Sequence, residues 1–202
     1  MSINGHTITH GSQTPDAIAI DKLALVAAMA MRAGQEDVEL QRLVRQAIAT
    51  APSDAESQML AWENFCMALP YRREAGEFLE SPVQTAKTGG DCDDITILFL
   101  AGCVSLGLPC EPELVCDQQG YPFHIRALVH LPPLSPTHSV VVDPVCWSER
   151  QWSMAGKQPS AEGRAVRMAS GQQESGGGVW LLLLGVAFGL TASKVKSLLA
   201  KS

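Results

Sequence analysis

The first part of the chain shows the apolar spacing that is typical of α-helices. Thr14 and Pro15 predict a helix start, because a hydroxyl can cap the first turn and proline suits the first helical position. The run behind them, IAIDKLALVAAMAMRAG, is apolar on most faces, which predicts a buried helix at 15–33 that ends at Gly34. Apolar positions three and four residues apart predict a second, amphipathic helix at 36–49.

Two further helices are predicted before the pattern changes. The third helix covers about 54–68, and a largely polar connection at 72–90 follows it. From Asp93 the residues are apolar nearly all round, which predicts a central buried helix that Gly107 and Pro109 end. The buried face of the third helix is expected to hold Met59, Trp62, Cys66 and Leu69.

Strand-like alternation then replaces the helical spacing. Strands are predicted at 111–116, 123–131 and 138–145, with the turn DQQGYP and the proline-rich loop PPLSPT between them. Helices followed by a short antiparallel sheet are typical of the α+β class, which is the fold we predict. The chain shows no internal repeat.

The C-terminal part of the chain has a different composition. Residues 153–178 are poor in large apolar groups and end in glycines, which predicts a linker. Residues 179–193, VWLLLLGVAFGLTAS, carry no charge, and lysines follow them. We therefore predict a domain at 1–152, a linker at 153–178 and an apolar C-terminal helix at 179–202. That helix is borderline in length for a membrane span, so both a membrane and a protein surface are candidates for its contact.

Charge and cysteine usage narrow the function classes. The net charge of −6 forces no basic face, so nucleic acid is not an expected partner. The N-terminal segment MSINGHTITHGSQTPD has neither the charged nor the apolar region of an export signal, so the six cysteines are expected to stay reduced in the cytoplasm. Because the chain has no Cys-x-x-Cys and no zinc-finger spacing, we expect no metal site and no cofactor.

Cys92, in the segment TGGDCDDITILFLAG, is a candidate buried thiol, metal ligand or nucleophile. An EF-hand loop needs a glycine at its sixth position and an acid at its twelfth. Counted from Asp91 those positions hold Thr96 and Gly102, which excludes that loop. A helix N-terminus favours a thiolate and can stabilise an oxyanion. The aspartates around Cys92 oppose a thiolate, so a nucleophile here needs a histidine partner.

His124 and Asp143 are the predicted partners of Cys92. His124 lies near the start of the second strand and Asp143 near the end of the third, so antiparallel pairing would bring them to one end of the sheet. A histidine Nδ1–H can then meet the carboxylate while Nε2 faces the sulfur. His130 lies roughly 20 Å further along the same strand, and His138 begins the strand that Asp143 ends, so both are weaker candidates.

The order of these motifs resembles a known family. Gly90-Asp91-Cys92-Asp93-Asp94 is followed by an apolar helix, by Leu106-Gly107-Leu108-Pro109, by a strand with His124 and by Val142-Asp143-Pro144. Over about residues 55–147 this order resembles the transglutaminase-like superfamily, and Glu80-Ser81-Pro82 is similar to the lead-in of its bacterial and phage members. The resemblance implies a papain-like core with Cys92, His124 and Asp143 as a Cys-His-Asp triad. Members often carry an aromatic residue ahead of the Asp strand, where this chain has His138 and Ser139.

Two function classes follow. In the first, the protein is an enzyme that hydrolyses a peptide or isopeptide bond in a protein or peptide substrate, with acyl transfer as a variant. Cys92 would attack the carbonyl carbon, His124 would transfer the proton and Asp143 would orient His124. In the second, the protein keeps the fold without turnover, as a structural or assembly protein such as one of a phage particle. Residues 179–202 would anchor it, so its location is the cytoplasm, a membrane or a virion.

Overall fold

The computed structural model describes residues 6–7, 14–73, 78–116, 121–145 and 164–167, and it has the predicted α+β architecture. Helices come first along the chain and an antiparallel sheet follows them. The elements, in chain order, are β1 (His6–Thr7), α1 (Pro15–Glu36), α2 (Val38–Ala47), α3 (Ala55–Met67), β2 (Phe78–Leu79), α4 (Pro82–Thr88), α5 (Cys92–Ser105), β3 (Cys110–Cys116), β4 (Pro122–Leu131), β5 (His138–Val142) and β6 (Arg164–Arg167).

The main sheet has the strand order β5-β4-β3-β6, and every neighbouring pair is antiparallel. On β4, His124 lies opposite Val115 of β3, and Ala127 lies opposite Val142 of β5. Antiparallel pairing of β4 and β5 therefore brings the first residues of β4 to the end of β5, where Asp143 follows. The separate pair β1 and β2 is also antiparallel.

Helix α1 runs through Gly34, which the sequence pattern predicted as its end. A Cβ atom at Gly34 would lie 2.5 Å from the carbonyl oxygen of Ala101 and 2.6 Å from Cβ of Val104, both on α5. The glycine therefore permits close packing of α1 on α5 and does not terminate the helix. Asp37 marks the boundary instead, since its carboxylate accepts hydrogen bonds from the amides of Glu39 and Leu40 at the start of α2.

Helix α5 is the centre of the core, as its nearly continuous apolar sequence predicts. Every residue from Asp93 to Cys103 is buried. Trp62 of α3 donates its indole N–H to the carbonyl of Phe99 at 3.0 Å. Gly102 makes room for this indole, because a Cβ atom there would lie 1.9 Å from Trp62 Nε1. Of the predicted inner face of α3, Met59, Trp62 and Cys66 are buried, and Leu69 is partly buried.

The predicted polar connection at 72–90 contains two elements that the apolar pattern missed, the strand β2 and the helix α4. The signal for α4 was present in the sequence. Ser81 caps the first turn through its hydroxyl, and Pro82 occupies the first helical position, as Thr14 and Pro15 do for α1. Seven residues are too few to show a helical apolar repeat clearly, which is why the periodicity gave no indication of α4.

The C-terminal predictions fall mostly outside the described residues. Within the predicted linker at 153–178, residues 164–167 form the strand β6, which pairs with β3. The rest of the linker and the predicted apolar helix at 179–202 lie outside the described residues. Among the residues that the structure describes, no helix is long and apolar enough to cross a membrane.

Candidate active site

A glycine pair before α5 sets the approach of the chain to Cys92. Gly89 has a φ of 75°, and a Cβ atom on it would lie 1.9 Å from the carbonyl oxygen of Pro70. At Gly90 a Cβ atom would lie 2.5 Å from Cβ of Asp94. The amide of Arg72 donates to the Gly90 carbonyl at 2.8 Å, which ties the segment after α3 to this turn. Both glycines are therefore needed by the local geometry.

Asp91 and Asp94 form a capping box at the start of α5. The Asp91 carboxylate accepts from the amides of Asp93 at 3.0 Å and Asp94 at 3.4 Å, while Asp94 Oδ2 accepts from the Asp91 amide at 3.3 Å. The other oxygen of Asp94 accepts from the amide of Glu80 at 2.7 Å and so holds the segment between β2 and α4. These two aspartates therefore build the turn that presents Cys92.

Asp93 joins Cys92 to a lysine from α1. The ammonium of Lys22 lies 2.6 Å from Oδ2 of Asp93, and both side chains are less than one-tenth exposed, at 9% and 7%. The thiol of Cys92 donates to the other oxygen, Oδ1, with 3.6 Å between sulfur and oxygen. The sequence predictions did not include Lys22. Its only signal in the sequence is that it stands, next to Asp21, in the otherwise apolar stretch IAIDKLALV of α1.

The electrostatics around Cys92 favour the protonated thiol. Burial, followed by the Asp93 and Asp91 carboxylates, raises the pKa of Cys92 well above the ordinary thiol value, and the Lys22 ammonium offsets part of this effect. Burial raises the pKa of Tyr71 as well, and the charges of Cys92 and Asp91 add to it. Cys92 is therefore not a preformed thiolate, as the aspartates in its sequence already suggested.

His124 and Asp143 meet at the end of the main sheet. His124 Nε2 lies 2.8 Å from Oδ2 of Asp143, and since a carboxylate only accepts, the imidazole N–H donates. The His124 side chain is 3% exposed and that of Asp143 is 32% exposed. The nitrogen that meets the carboxylate is Nε2, whereas the sequence-based prediction assigned this contact to Nδ1. The amide of Val145 donates to Oδ1 of Asp143 at 3.3 Å, which fixes the carboxylate further.

Helix α5 packs directly on the strand that carries His124. Thr96, one turn beyond Cys92, donates its hydroxyl to the carbonyl of Ile125 at 3.3 Å, and this hydrogen bond is buried. Ile125 is the residue next to His124. Because residues four apart lie on the same face of a helix, Cys92 and Thr96 share the side of α5 that meets β4. The start of α5 and the start of β4 therefore lie in the same region of the fold.

His130, the competing histidine on β4, lies at the other end of the sheet. Its Nδ1 is 2.8 Å from the hydroxyl of Ser139, near the beginning of β5. Its Nε2 is 3.6 Å from Oε1 of Glu111 on β3. In the register of β4 and β5, His130 pairs with Ser139. The pair Ala127–Val142 lies closer to the end of the sheet that holds His124. His130 is thus separated from Asp143, as its sequence position predicts.

The side chains of Asp91, Cys92 and Asp93 also present potential metal ligands, with their ligand atoms within 4.8 Å of one another. Both aspartates already have partners in the fold. Asp91 Oδ1 accepts from two amides of α5, and Asp93 Oδ2 pairs with Lys22. The cluster is therefore explained by helix capping and ion pairing.

Helix α5 with Cys92 at its first position, packed against an antiparallel sheet that carries a histidine–aspartate pair, defines an α+β domain with a cysteine-containing candidate active site. No family model and no curated protein matches the chain. The resemblance to the transglutaminase-like superfamily therefore stays an expectation from the sequence motifs.

Two solved structures are similar to part of the chain. One, from Cytophaga hutchinsonii, is named a "putative cysteine protease"; it is 18% identical with a TM-score of 0.42, over 54% of this chain and 37% of that protein. The other, from Parabacteroides distasonis, is named a "putative protease"; it is 10% identical with a TM-score of 0.44, over 61% of this chain and 30% of that protein. The chain thus spans only about a third of the length of these proteins.

Proposed function

We propose that the protein catalyses cysteine-dependent amide chemistry, with Cys92 as nucleophile, His124 as general base and acid, and Asp143 as the group that orients His124. The observation that carries the proposal is the 2.8 Å contact between His124 Nε2 and Asp143 Oδ2, on the strand against which the Cys92 helix packs. A base held by a third group, near a nucleophile at a helix start, is the arrangement that activates a thiol.

Because Cys92 starts as a protonated thiol, its proton must be removed as the sulfur attacks. With Nε2–H bonded to Asp143, a neutral His124 carries its lone pair on Nδ1, so Nδ1 is the nitrogen that accepts the thiol proton. The S–C bond forms as His124 takes that proton, and the carbonyl π electrons move to oxygen. The tetrahedral intermediate then collapses, the C–N bond breaks, and imidazolium returns the proton to the leaving amine. Water activated by His124 hydrolyses the thioester and releases the acid.

The oxyanion donor that α5 offers in this proposal is the amide of Cys92. The amides of Asp93 and Asp94 are engaged by the Asp91 carboxylate. The Cys92 amide is the first of the helix, where the dipole favours negative charge. Capping by Asp91 therefore selects one amide among the first three for this role.

Hydrolysis of a peptide or isopeptide bond in a protein or peptide substrate is the reaction we propose, with transfer to an amine as the variant that the transglutaminase-like resemblance implies. No step requires a cofactor or a metal. Transfer would need an acyl-enzyme shielded from water and open to an amine. The two reactions differ in the second step alone, so product analysis with and without an added primary amine distinguishes them.

A peptide library incubated with the protein and analysed by mass spectrometry tests the proposal. We expect cleaved products with the wild-type protein, and their loss by at least 10³-fold in Cys92→Ala, because removal of a nucleophile leaves only binding and oxyanion effects. Cys110→Ala is the matched control, since Cys110 is also a partly buried free thiol but donates to the Leu100 carbonyl. Cleavage by Cys92→Ala at the wild-type rate would contradict the proposal, and so would the absence of both cleavage and iodoacetamide labelling at Cys92.

A second candidate function is a structural or assembly role without turnover, for example in a phage particle. The observation that favours it is the hydrogen bond of the Cys92 thiol to Asp93, which opposes ionisation. In this case residues 179–202 would anchor the protein to a membrane or a particle, and otherwise the protein would reside in the cytoplasm. Deletion of residues 179–202 tests the anchor, because the shortened protein should no longer sediment with membranes or particles. Sedimentation that persists after the deletion would contradict the anchor.

A further inference from the structure

Lys22 is buried in the middle of an apolar helix, which is rare for a lysine unless its ammonium is paired. Its neighbours along α1, Ala19, Leu23 and Val26, belong to the core. The ammonium lies 2.6 Å from Oδ2 of Asp93, the residue directly after Cys92. A long side chain thus reaches from α1 to the first turn of α5 at the candidate nucleophile.

The Asp93 carboxylate connects the lysine to the thiol. Oδ2 accepts from the Lys22 ammonium, and Oδ1 accepts from the Cys92 thiol across 3.6 Å. The planar Asp93 carboxylate therefore fixes the direction in which the S–H bond points. It also holds the positive charge of Lys22 close to the sulfur. Residues from two helices that are far apart in the sequence meet in this chain of contacts.

We propose that Lys22 is a positioning residue that acts through Asp93 to orient the Cys92 thiol and to keep it ionisable. The significance of this for catalysis rests on the proposed function, but the effect on the thiol does not. An unpaired Asp93 carboxylate would repel a thiolate at close range. With Lys22 beside it, the pair has no net charge and the ammonium attracts the thiolate.

Stability alone is a weak explanation for the ion pair. Moving both charges out of water is unfavourable, and well-packed apolar residues in their place are often equally stable or more stable. The charged groups that act on the sulfur are Asp91 and Asp93 at the start of α5, Lys22 from α1 and, when ionised, Tyr71 from the segment before Gly90, and the proposed function adds His124 from β4. Lys22 is the cation among those acting on Cys92, and it offsets two carboxylates.

The rate of iodoacetamide labelling at Cys92, followed from pH 6 to 11 with mass-spectrometric mapping of the adduct, tests this role. The midpoint of the rate profile reports thiol ionisation. We expect Lys22→Met to raise the midpoint by about one unit, so that labelling below the midpoint is about tenfold slower. Asp93→Asn should lower the midpoint by a similar amount. The double variant Lys22→Met/Asp93→Asn should return it close to the wild-type value, and Lys22→Arg should keep it there.

A purely structural role would give a different pattern. Lys22→Met would then lower the Tm and leave the midpoint of the folded protein unchanged, which would overturn the proposal. If Lys22→Met does not fold, the comparison of Asp93→Asn with the double variant decides: a higher midpoint in the double variant supports the proposal, and equal midpoints overturn it. Labelling requires no turnover, so failure here is distinguishable from failure of the catalytic proposal, which peptide cleavage reports.

Discussion

His124 and Asp143 are 19 residues apart in the sequence, yet Nε2 of His124 lies 2.8 Å from Oδ2 of Asp143. The antiparallel pairing of β4 with β5 causes this contact, because the beginning of one strand lies beside the end of the other. The same pairing carries His130 to the opposite end of the sheet, where it meets Ser139. The two histidines of β4 therefore allow a matched comparison.

Asp143→Asn tests the orienting role of the carboxylate. We expect the rate of peptide cleavage to fall roughly 10²–10⁴-fold, because an amide no longer stabilises the imidazolium and permits the wrong tautomer. Steady-state cleavage rates with a fixed peptide measure the effect. His130→Gln is the control and should retain the wild-type rate. Equal losses in the two variants would contradict the assignment of His124 and Asp143.

Asp91→Asn tests the pH dependence of stability. Burial and the neighbouring carboxylates of Asp93 and Asp94 raise the pKa of Asp91 from 3.8 to about 7. Between these values the folded protein holds a proton that the unfolded chain has released, so the free energy of unfolding falls as the pH rises from about 4 to about 7. Asparagine keeps the cap but removes this titration, so we expect a flatter profile in urea unfolding across that range.

Asp54→Asn is the matched control for that measurement. Asp54 also caps a helix, accepting from the Ser57 amide at 2.8 Å, but it is exposed and this hydrogen bond lowers its pKa. Its stabilising effect is present above its unfolded pKa and is lost as the pH falls through the lower folded value. The decline from about pH 4 to 7 should therefore persist in Asp54→Asn. A decline that persists equally in Asp91→Asn would contradict the prediction.

Gly102→Ala should destabilise the core. The new Cβ would lie 1.9 Å from Trp62 Nε1, so the indole must move and lose its hydrogen bond to the Phe99 carbonyl. Overpacking and the unsatisfied buried groups together suggest a loss of about 3 kcal/mol in the free energy of unfolding. Gly107→Ala is the comparison: it has open space around it but a φ of 71°, so a loss of about 1 kcal/mol is expected. Equal losses would exclude the steric explanation.

Arg126→Met should destabilise the main sheet by about 3 kcal/mol, because the fully buried Glu113 would lose this counter-charge. Chemical denaturation measures the loss. Replacement of both partners, in Glu113→Leu/Arg126→Met, should recover most of it. The exposed pair Arg32–Glu36 on α1 gives the contrast, since Arg32→Met should change stability by less than about 0.5 kcal/mol. A double variant as unstable as Arg126→Met would contradict the charge argument.

Much of the fold could be predicted from local patterns. Helix starts at Thr14 and Asp54, the nearly continuous apolar run of α5 and the alternation along β4 are signals carried by neighbouring residues. The sequence-based predictions of helix boundaries were wrong where one residue type is compatible with two structures or where a helix is short. Gly34 suits a helix end, but here its missing side chain accommodates α5. Helix α4 is too short for a periodic pattern, although Ser81 and Pro82 marked its start.

The candidate site, too, could be predicted from the sequence only in part. Cys92, His124 and Asp143 could be proposed from the sequence, because a helix start and two strand ends are local features whose pairing follows from antiparallel geometry. The functions of the three aspartates could not. Asp91 and Asp94 are capping groups and Asp93 is an ion-pair partner, and their neighbours in the sequence do not distinguish these roles.

The sequence by itself determined the order of the four longer helices and of strands β3 to β5, the burial of α5 and the position of Cys92 at its start, because apolar periodicity and capping act over a few residues. The tertiary structure alone decided which nitrogen of His124 meets Asp143 and which carboxylate meets Lys22. These contacts depend on how α1, α5 and β4 pack in space. A side chain selects its partner by distances of a few ångströms between elements, and those distances are fixed only when the whole core has assembled.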